Sequence, residues 1–129
     1  MLTTADPKPV PLPMLRAVAL LILVLIVLQF LWAGLALFVG LQGWGLHKAA
    51  GFAVLLPLSH IFVLSGKLSR KQGLRSAVLI VALLYVTQIV LAAVSKSPDF
   101  IWLRALHLAN APLLLLASFR LYQRSQSIL

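Results

Sequence analysis

Four long apolar segments dominate this chain, and each has the length needed to cross a lipid bilayer. They cover residues 14–38, 46–65, 76–95 and 100–121, and the first carries no charged residue after Arg16. A hydrocarbon core about 30 Å thick is crossed by about 20 residues of α-helix. Helices satisfy their own backbone hydrogen bonds in lipid, and apolar runs of this length are typical of them. The pattern predicts an all-α integral membrane protein.

Short joints between the apolar segments predict how the helices follow one another. Gly40, Gly43 and Gly45 lie in the first joint, and residues 66–73 and 95–99 form the other two. Short joints place successive helices antiparallel and side by side. The expected fold is therefore a membrane four-helix bundle with up-down-up-down topology.

The two ends of the chain differ in composition from the spans. Residues 1–13 contain four prolines and are expected to form an irregular segment. Residues 14–122 form the expected transmembrane domain, and residues 123–129 an expected cytoplasmic tail. The first apolar segment is too long for a signal peptide and lacks an Ala-x-Ala-like cleavage site, so we interpret it as a retained span.

Basic residues are distributed unevenly between the two ends of the expected bundle. Eight of them share the side of the N terminus: Lys8, Arg16, Lys67, Arg70, Lys71, Arg75, Arg120 and Arg124. The other three are Lys48, Lys96 and Arg104. Basic residues concentrate on the cytoplasmic side of membranes, so both termini are expected in the cytoplasm, with the protein in a bacterial inner (plasma) membrane. We assign the net charge of +9 to contacts with anionic lipids of the bilayer, and not to nucleic acid.

Rare polar residues recur in the same order in the two halves of the chain. Gln29 lies in the stretch VLQFLWAG and Gln88 in VTQIVLAA, while His47 lies in GLHKAAG and His107 in ALHLANA. Such residues are costly in lipid, so their recurrence indicates a duplicated two-helix hairpin; chance similarity of apolar stretches is the alternative. The two glutamines are expected either to form hydrogen bonds between helices or to contact a cofactor.

The histidine pair predicts a haem site. If the hairpins are related by an axis along the membrane normal, His47 and His107 face each other at similar depth on helices two and four, as the axial ligands of a six-coordinate haem do. Gly51 and Ala111 follow the histidines by one turn, and small residues there admit a flat macrocycle or serve helix packing. We predict one haem b with both histidines as iron ligands. Hydrogen bonds between the histidines, to Asn110 or to a backbone carbonyl are the alternative.

Three further residues bear on this site. Lys48 follows His47 and Arg104 lies one turn before His107, where cations can pair with haem propionates or with lipid headgroups. His60 is thirteen residues from His47, about 20 Å along a helix, and cannot share its metal. An internal hydrogen bond, an interfacial position or contact with a quinone are the roles left to His60.

The chain offers no side-chain constellation for catalysis. It has no cysteine, which excludes thiolate ligands and covalent haem attachment, and its only acids are Asp6 and Asp99 in flanking segments. Paired carboxylates and glycine-rich phosphate loops are also missing from the sequence. An enzyme that relies on side-chain chemistry is therefore not expected, and any chemistry would be that of a cofactor.

The stretches QFLWAGLALF, LHKAAG and ALHLANAPLLL, with a glutamine in the third span, resemble a small, poorly characterised family of bacterial four-span membrane proteins. More distantly, the layout is similar to one four-helix half of haem A synthase. In that enzyme, helices two and four of each unit supply a histidine pair for haem, which here would be His47 and His107. This chain has one such unit and lacks the acidic residue associated with synthase catalysis, so the resemblance implies haem binding more than synthase activity.

These features together predict electron transfer or haem handling in a membrane, with a larger membrane redox complex or a quinone as partner. A cofactor-free structural or assembly subunit, whose His and Gln residues only lock helices together, is the alternative. A small transporter fits less well, because transporter sites lie at the bilayer midplane and the polar residues here lie mostly away from it.

Overall fold

The computed structural model describes residues 12–40, 43–67 and 73–127, and these are helical almost throughout. The helices are α1 (Leu12–Gly34), α2 (Gly43–Ala53), α3 (Leu55–Gly66), α4 (Leu74–Val94) and α5 (Leu103–Gln126). A π-helical turn, Leu35–Val39, continues α1, and a 3-10 turn, Pro98–Phe100, precedes α5. The expected irregular segment lies mostly outside the described residues, and its last two residues already belong to α1. The helical part of the expected tail extends to Gln126.

Four stretches are long and apolar enough to cross a membrane, as the sequence predicts. The first, second, third and fourth spans are Leu12–Val39, Gly43–Gly66, Leu74–Val94 and Leu103–Gln126. The described residues contain no strand. The chain is therefore an all-α, multi-pass membrane protein built on four helical spans.

Each of the four spans packs against two of the others, so the bundle is closed. The first span packs against the second and the fourth, and the third packs against the fourth and against α3. The second and fourth spans meet little or not at all, so they lie across a diagonal of the bundle. This is the arrangement that short joints between antiparallel neighbours predict.

A break divides the second span into α2 and α3. Pro57 has no amide hydrogen to donate to the carbonyl of Ala53, where α2 ends, and its ring disfavours a straight helix there. Val54 keeps helical dihedral angles, and its carbonyl accepts the amide of Leu58 at 3.1 Å, so the chain continues as α3. After the break, α2 packs mainly against the first span, while α3 packs against both the first and the third.

Two glycines allow the tight reversal between the first and second spans. Gly40 has a φ of +70°, a left-handed conformation that ends the first span. A Cβ atom on Gly43 would lie 2.7 Å from the carbonyl oxygen of Trp32. Only glycine therefore lets the start of α2 approach the first span this closely.

The buried apolar core occupies one half of the bundle. Its side chains follow spacings of three and four residues, which place them on one face of each helix. They are Leu15, Ala19, Ile22, Ile26, Val54, Leu58, Ile61, Leu64, Leu74, Val78, Val81, Tyr85, Leu114 and Leu121. We call this the core half, and the described residues of 27–53 and 86–109 the histidine half. None of the apolar side chains described in the histidine half is buried to the same degree.

Candidate functional site

His47 and His107 occupy equivalent positions in the second and fourth spans. Each of these spans has 24 residues, and each histidine is its fifth residue. The second and fourth spans run in the same direction, because alternate helices of this bundle are parallel. The two histidines therefore lie near the same end of the bundle, in the histidine half.

Both imidazoles make the same hydrogen bond to the preceding span. The Nδ1 atom of His47 lies 3.0 Å from the carbonyl oxygen of Gln29, and that of His107 lies 3.0 Å from the carbonyl oxygen of Gln88. A carbonyl oxygen only accepts, so Nδ1 is the donor in each ring. When an imidazole has its one proton on Nδ1, its Nε2 atom carries a lone pair. A hydrogen bond to a backbone carbonyl is one of the alternatives to haem ligation that the sequence left open, and it is present in both hairpins.

In the second hairpin, side chains complete a small polar network around His107. The amide nitrogen of Gln88 donates to Nε2 of His107 at 3.2 Å. Asn110 donates to the side-chain oxygen of Gln88 at 2.7 Å and to the carbonyl oxygen of Leu84 at 2.9 Å. Gln88 therefore engages both nitrogens of His107, one through its backbone and one through its side chain. Asn110 supports the glutamine and makes no bond to the imidazole.

The first hairpin lacks this network. Ala50 stands where the second hairpin has Asn110 and cannot hold a glutamine side chain. The buried amide nitrogen of Gln29 has no hydrogen-bond partner among the described residues, and no hydrogen bond within them reaches Nε2 of His47. A Cβ atom on Gly51 would lie 3.4 Å from the side-chain nitrogen and oxygen of Gln29. The space beside Gly51 thus holds the Gln29 side chain.

Aromatic side chains border the first hairpin. The ring of Trp44 meets that of His47 edge to face, with centroids 5.7 Å apart and planes at 85°. The hydroxyl of Tyr85 donates to the carbonyl oxygen of Gly51 at 2.9 Å, which ties the third span to α2. Sequence reasoning missed Tyr85. The available signal was its position three residues before Gln88, on the same helix face in an otherwise apolar stretch.

The other predicted site residues lie around the two histidines. Lys48 and Arg104 are exposed, and Gly51 and Ala111 are partly buried. His60 is exposed on α3, away from the hydrogen bonds of the histidine half. The described residues contain no group of three or more metal-ligating side chains, and a haem held by two histidines does not require one. The ligand roles stay predictions.

Comparison with known proteins gives one match. Residues 29–95 match the model of a family described as a family of unknown function, DUF6220. The match covers just over half of the chain and includes Gln29, His47 and Gln88, while His107 follows it. No curated protein and no solved structure matches the chain.

Proposed function

This chain belongs to the DUF6220 family of unknown function, and we propose that it binds one haem b for electron transfer or haem handling in a membrane. His47 and His107 are the residues that would hold its iron. The main support is the hydrogen bond that both rings make from Nδ1 to a glutamine carbonyl at 3.0 Å. Such a bond fixes the orientation of an imidazole and leaves Nε2 as the donor atom for a metal.

The donor atoms of the first hairpin suit a bound cofactor. Nε2 of His47 accepts no hydrogen bond from the described residues, so it can bind iron without giving one up. The buried amide nitrogen of Gln29 lacks an acceptor there, and an unpaired buried donor costs about 1–3 kcal/mol. An acceptor on a bound group beside His47 would remove that cost.

In the second hairpin, iron would replace one hydrogen bond. His107 would exchange its contact with the Gln88 amide nitrogen for the metal and keep the bond from Nδ1 to the Gln88 carbonyl. Hydrogen bonds between side chains in membranes are worth about 0.6 kcal/mol on average. The exchange therefore costs little compared with the free energy of a metal–ligand bond.

The packing of the histidine half also favours a bound group. None of its described apolar side chains is buried as those of the core half are. α2 packs mainly against the first span and meets α4 and α5 little, apart from the hydrogen bond between Tyr85 and Gly51. Ala111 is one small residue expected beside the macrocycle. Gly51 is the other, provided that the Gln29 side chain moves away from it. The exposed cations Lys48 and Arg104 are the expected partners of its propionates.

A haem with two imidazole ligands supplies one-electron redox chemistry and keeps no open coordination position. The chain's own residues would orient the two rings, exclude water and balance the propionate charge. We propose a membrane redox complex or a quinone as partner. We also propose, from the layout of the sequence alone, a distant relation to one four-helix half of haem A synthase, with the haem between the second and fourth spans and without synthase activity.

The uneven distribution of basic residues supports a specific topology. We propose a bacterial inner membrane protein with both termini in the cytoplasm, which puts the histidine half toward the outer leaflet. Arg16, Lys67, Arg75, Arg120 and Arg124 are the described members of the larger basic group. Lys8, Arg70 and Lys71 lie outside the described residues.

The visible absorption spectrum of the purified protein tests haem binding. We expect protein from haem-replete cells to carry one haem per chain, with the sharp low-spin bands of a bis-histidine haem after reduction by dithionite. A protein that is folded and helical but carries no haem would contradict the proposal.

One observation favours a second function, that of a cofactor-free structural or assembly subunit. The bonds among His107, Gln88 and Asn110 already satisfy the polar side chains between the third and fourth spans. In such a subunit these residues would only lock α4 to α5. The same absorption spectrum separates the two functions, because only the first gives a haem signal.

A further inference from the structure

The end of the bundle opposite the histidines is strongly basic. Lys67, Arg75, Arg120 and Arg124 lie there, together with Arg16, which donates to the carbonyl oxygens of Ser125 and Gln126 at 3.3 Å each and so caps α5. Asp99 is the one acid among the described residues, and it lies in the turn at the other end. No described carboxylate therefore offsets this charge.

Two of these arginines share one face of α5. Arg120 and Arg124 are four residues apart, and with Gln123 and Ser127 they line a depression of about 460 Å³. All four side chains are exposed. Two guanidinium groups beside the Gln123 amide form a donor set that suits a phosphate. The Ser127 hydroxyl donates to the carbonyl oxygen of Arg124 at 3.0 Å and is not counted in this set.

The start of α4 adds to this donor set. A Cβ atom on Gly73 would lie 3.1 Å from Nη1 of Arg124, so the guanidinium lies against the residue that precedes α4. None of the described side chains caps the first turn of α4. Free amides at a helix N terminus favour an anion, here next to an arginine.

The same face of α5 is apolar where it enters the membrane. Leu116 and Leu113 precede Arg120 by four and seven residues, which puts them on the same helix face. They are 50% and 55% exposed. The face therefore offers cations at the membrane surface and hydrocarbon contacts below them, which matches an amphiphile better than a free anion.

We propose that Arg120 and Arg124 bind the phosphate of an anionic phospholipid whose acyl chains lie along Leu116 and Leu113. The side-chain amide of Gln123 completes the headgroup contacts. This site is far along the bundle from the histidines and does not depend on haem binding. A basic residue contributes about 1 kcal/mol to binding of the anionic lipid that it contacts, so losing both arginines should weaken binding about 30-fold.

Native mass spectrometry of the full chain in detergent, titrated with phosphatidylglycerol, tests the site. We expect one tightly bound phosphatidylglycerol on the wild type and a loss of about 30-fold in its affinity on R120Q/R124Q. K67Q removes one charge from the same end of the bundle, outside α4 and α5, and should keep the wild-type affinity; it is the matched control for R120Q. The single variant R120Q keeps Arg124 beside Gly73 and tests the site if the double variant does not fold. The affinity of R120Q for phosphatidylglycerol should fall about fivefold.

Other probes separate this lipid site from simpler explanations. Phosphatidylcholine should bind far more weakly than phosphatidylglycerol, and inorganic phosphate should not displace the lipid. An equal loss in K67Q and R120Q would overturn the site in favour of diffuse surface charge. Displacement by inorganic phosphate would mean a free-anion site, and unchanged affinity in R120Q would exclude a role for this arginine.

Discussion

Gln88 makes a hydrogen bond to each ring nitrogen of His107. Its backbone carbonyl accepts from Nδ1 at 3.0 Å, and its side-chain amide donates to Nε2 at 3.2 Å. The backbone contact survives any substitution of Gln88, whereas the side-chain contact does not. The two contacts can therefore be separated by mutation.

Replacing Gln88 with Ala should leave haem binding intact while lowering stability slightly. The imidazole keeps its Nδ1 bond and its orientation, and Asn110 keeps the carbonyl of Leu84 as acceptor. We expect the free energy of unfolding to fall by about 1 kcal/mol, measured by thermal unfolding in a fixed detergent, with the haem content unchanged. Loss of haem in a folded Q88A protein would mean that the side chain, and not the backbone, prepares His107.

Replacing Gly43 with Ala should destabilise the bundle. The new methyl group would lie 2.7 Å from the carbonyl oxygen of Trp32, so the start of α2 must move away from the first span. Overpacking of this kind costs about 1–3 kcal/mol. Gly45 is the matched control, since a Cβ atom there meets nothing within 4 Å. Thermal unfolding should show a lower midpoint for G43A than for G45A; equal midpoints would contradict the observed closeness of the two spans.

Replacing Tyr85 with Phe should weaken the connection between the third span and α2. The substitution keeps the buried ring and removes the hydroxyl that donates to the Gly51 carbonyl at 2.9 Å. We expect a loss of about 1 kcal/mol in the free energy of unfolding. The control is Y122F, because no hydrogen bond of the Tyr122 hydroxyl occurs among the described residues. A Y85F protein as stable as Y122F would show that the hydroxyl bond contributes nothing.

Reporter fusions test the proposed topology. An alkaline phosphatase fused to the C terminus should be inactive, and one inserted at residues 41–43 should be active, because this enzyme matures only outside the cytoplasm. A green fluorescent protein at the same two places should give the opposite pattern. An active C-terminal phosphatase would reverse the orientation and turn the histidine half toward the cytoplasm.

The sequence predicts the four spans because uninterrupted apolar length is sufficient to identify membrane helices. It also predicts the equivalence of His47 and His107, since polar residues are rare enough in lipid for a repeat to stand out. The sequence predicts the start of the fourth span less exactly. Pro98 begins a 3-10 turn, so α5 starts at Leu103 and not near residue 100.

Two features of the site required the structure. Each span is apolar on all sides, so no periodicity in the sequence reveals that the core lies in one half of the bundle. The bond from Tyr85 to Gly51 depends on the rotation of α4 against α2, which neighbouring residues along the chain do not determine. Gln29 and Gln88 look alike in sequence, yet only Gln88 has an asparagine to support its side chain.

Absorption spectra of three single mutants test haem ligation most directly. H47A, H107A and H60A are purified from haem-replete cells and scanned before and after reduction with dithionite. His47 and His107 are the proposed ligands, whereas His60 is exposed on α3 and serves as the matched control. We predict that H47A and H107A each lose or convert the low-spin spectrum and that H60A keeps it. Wild-type spectra in both H47A and H107A would contradict the ligand assignment.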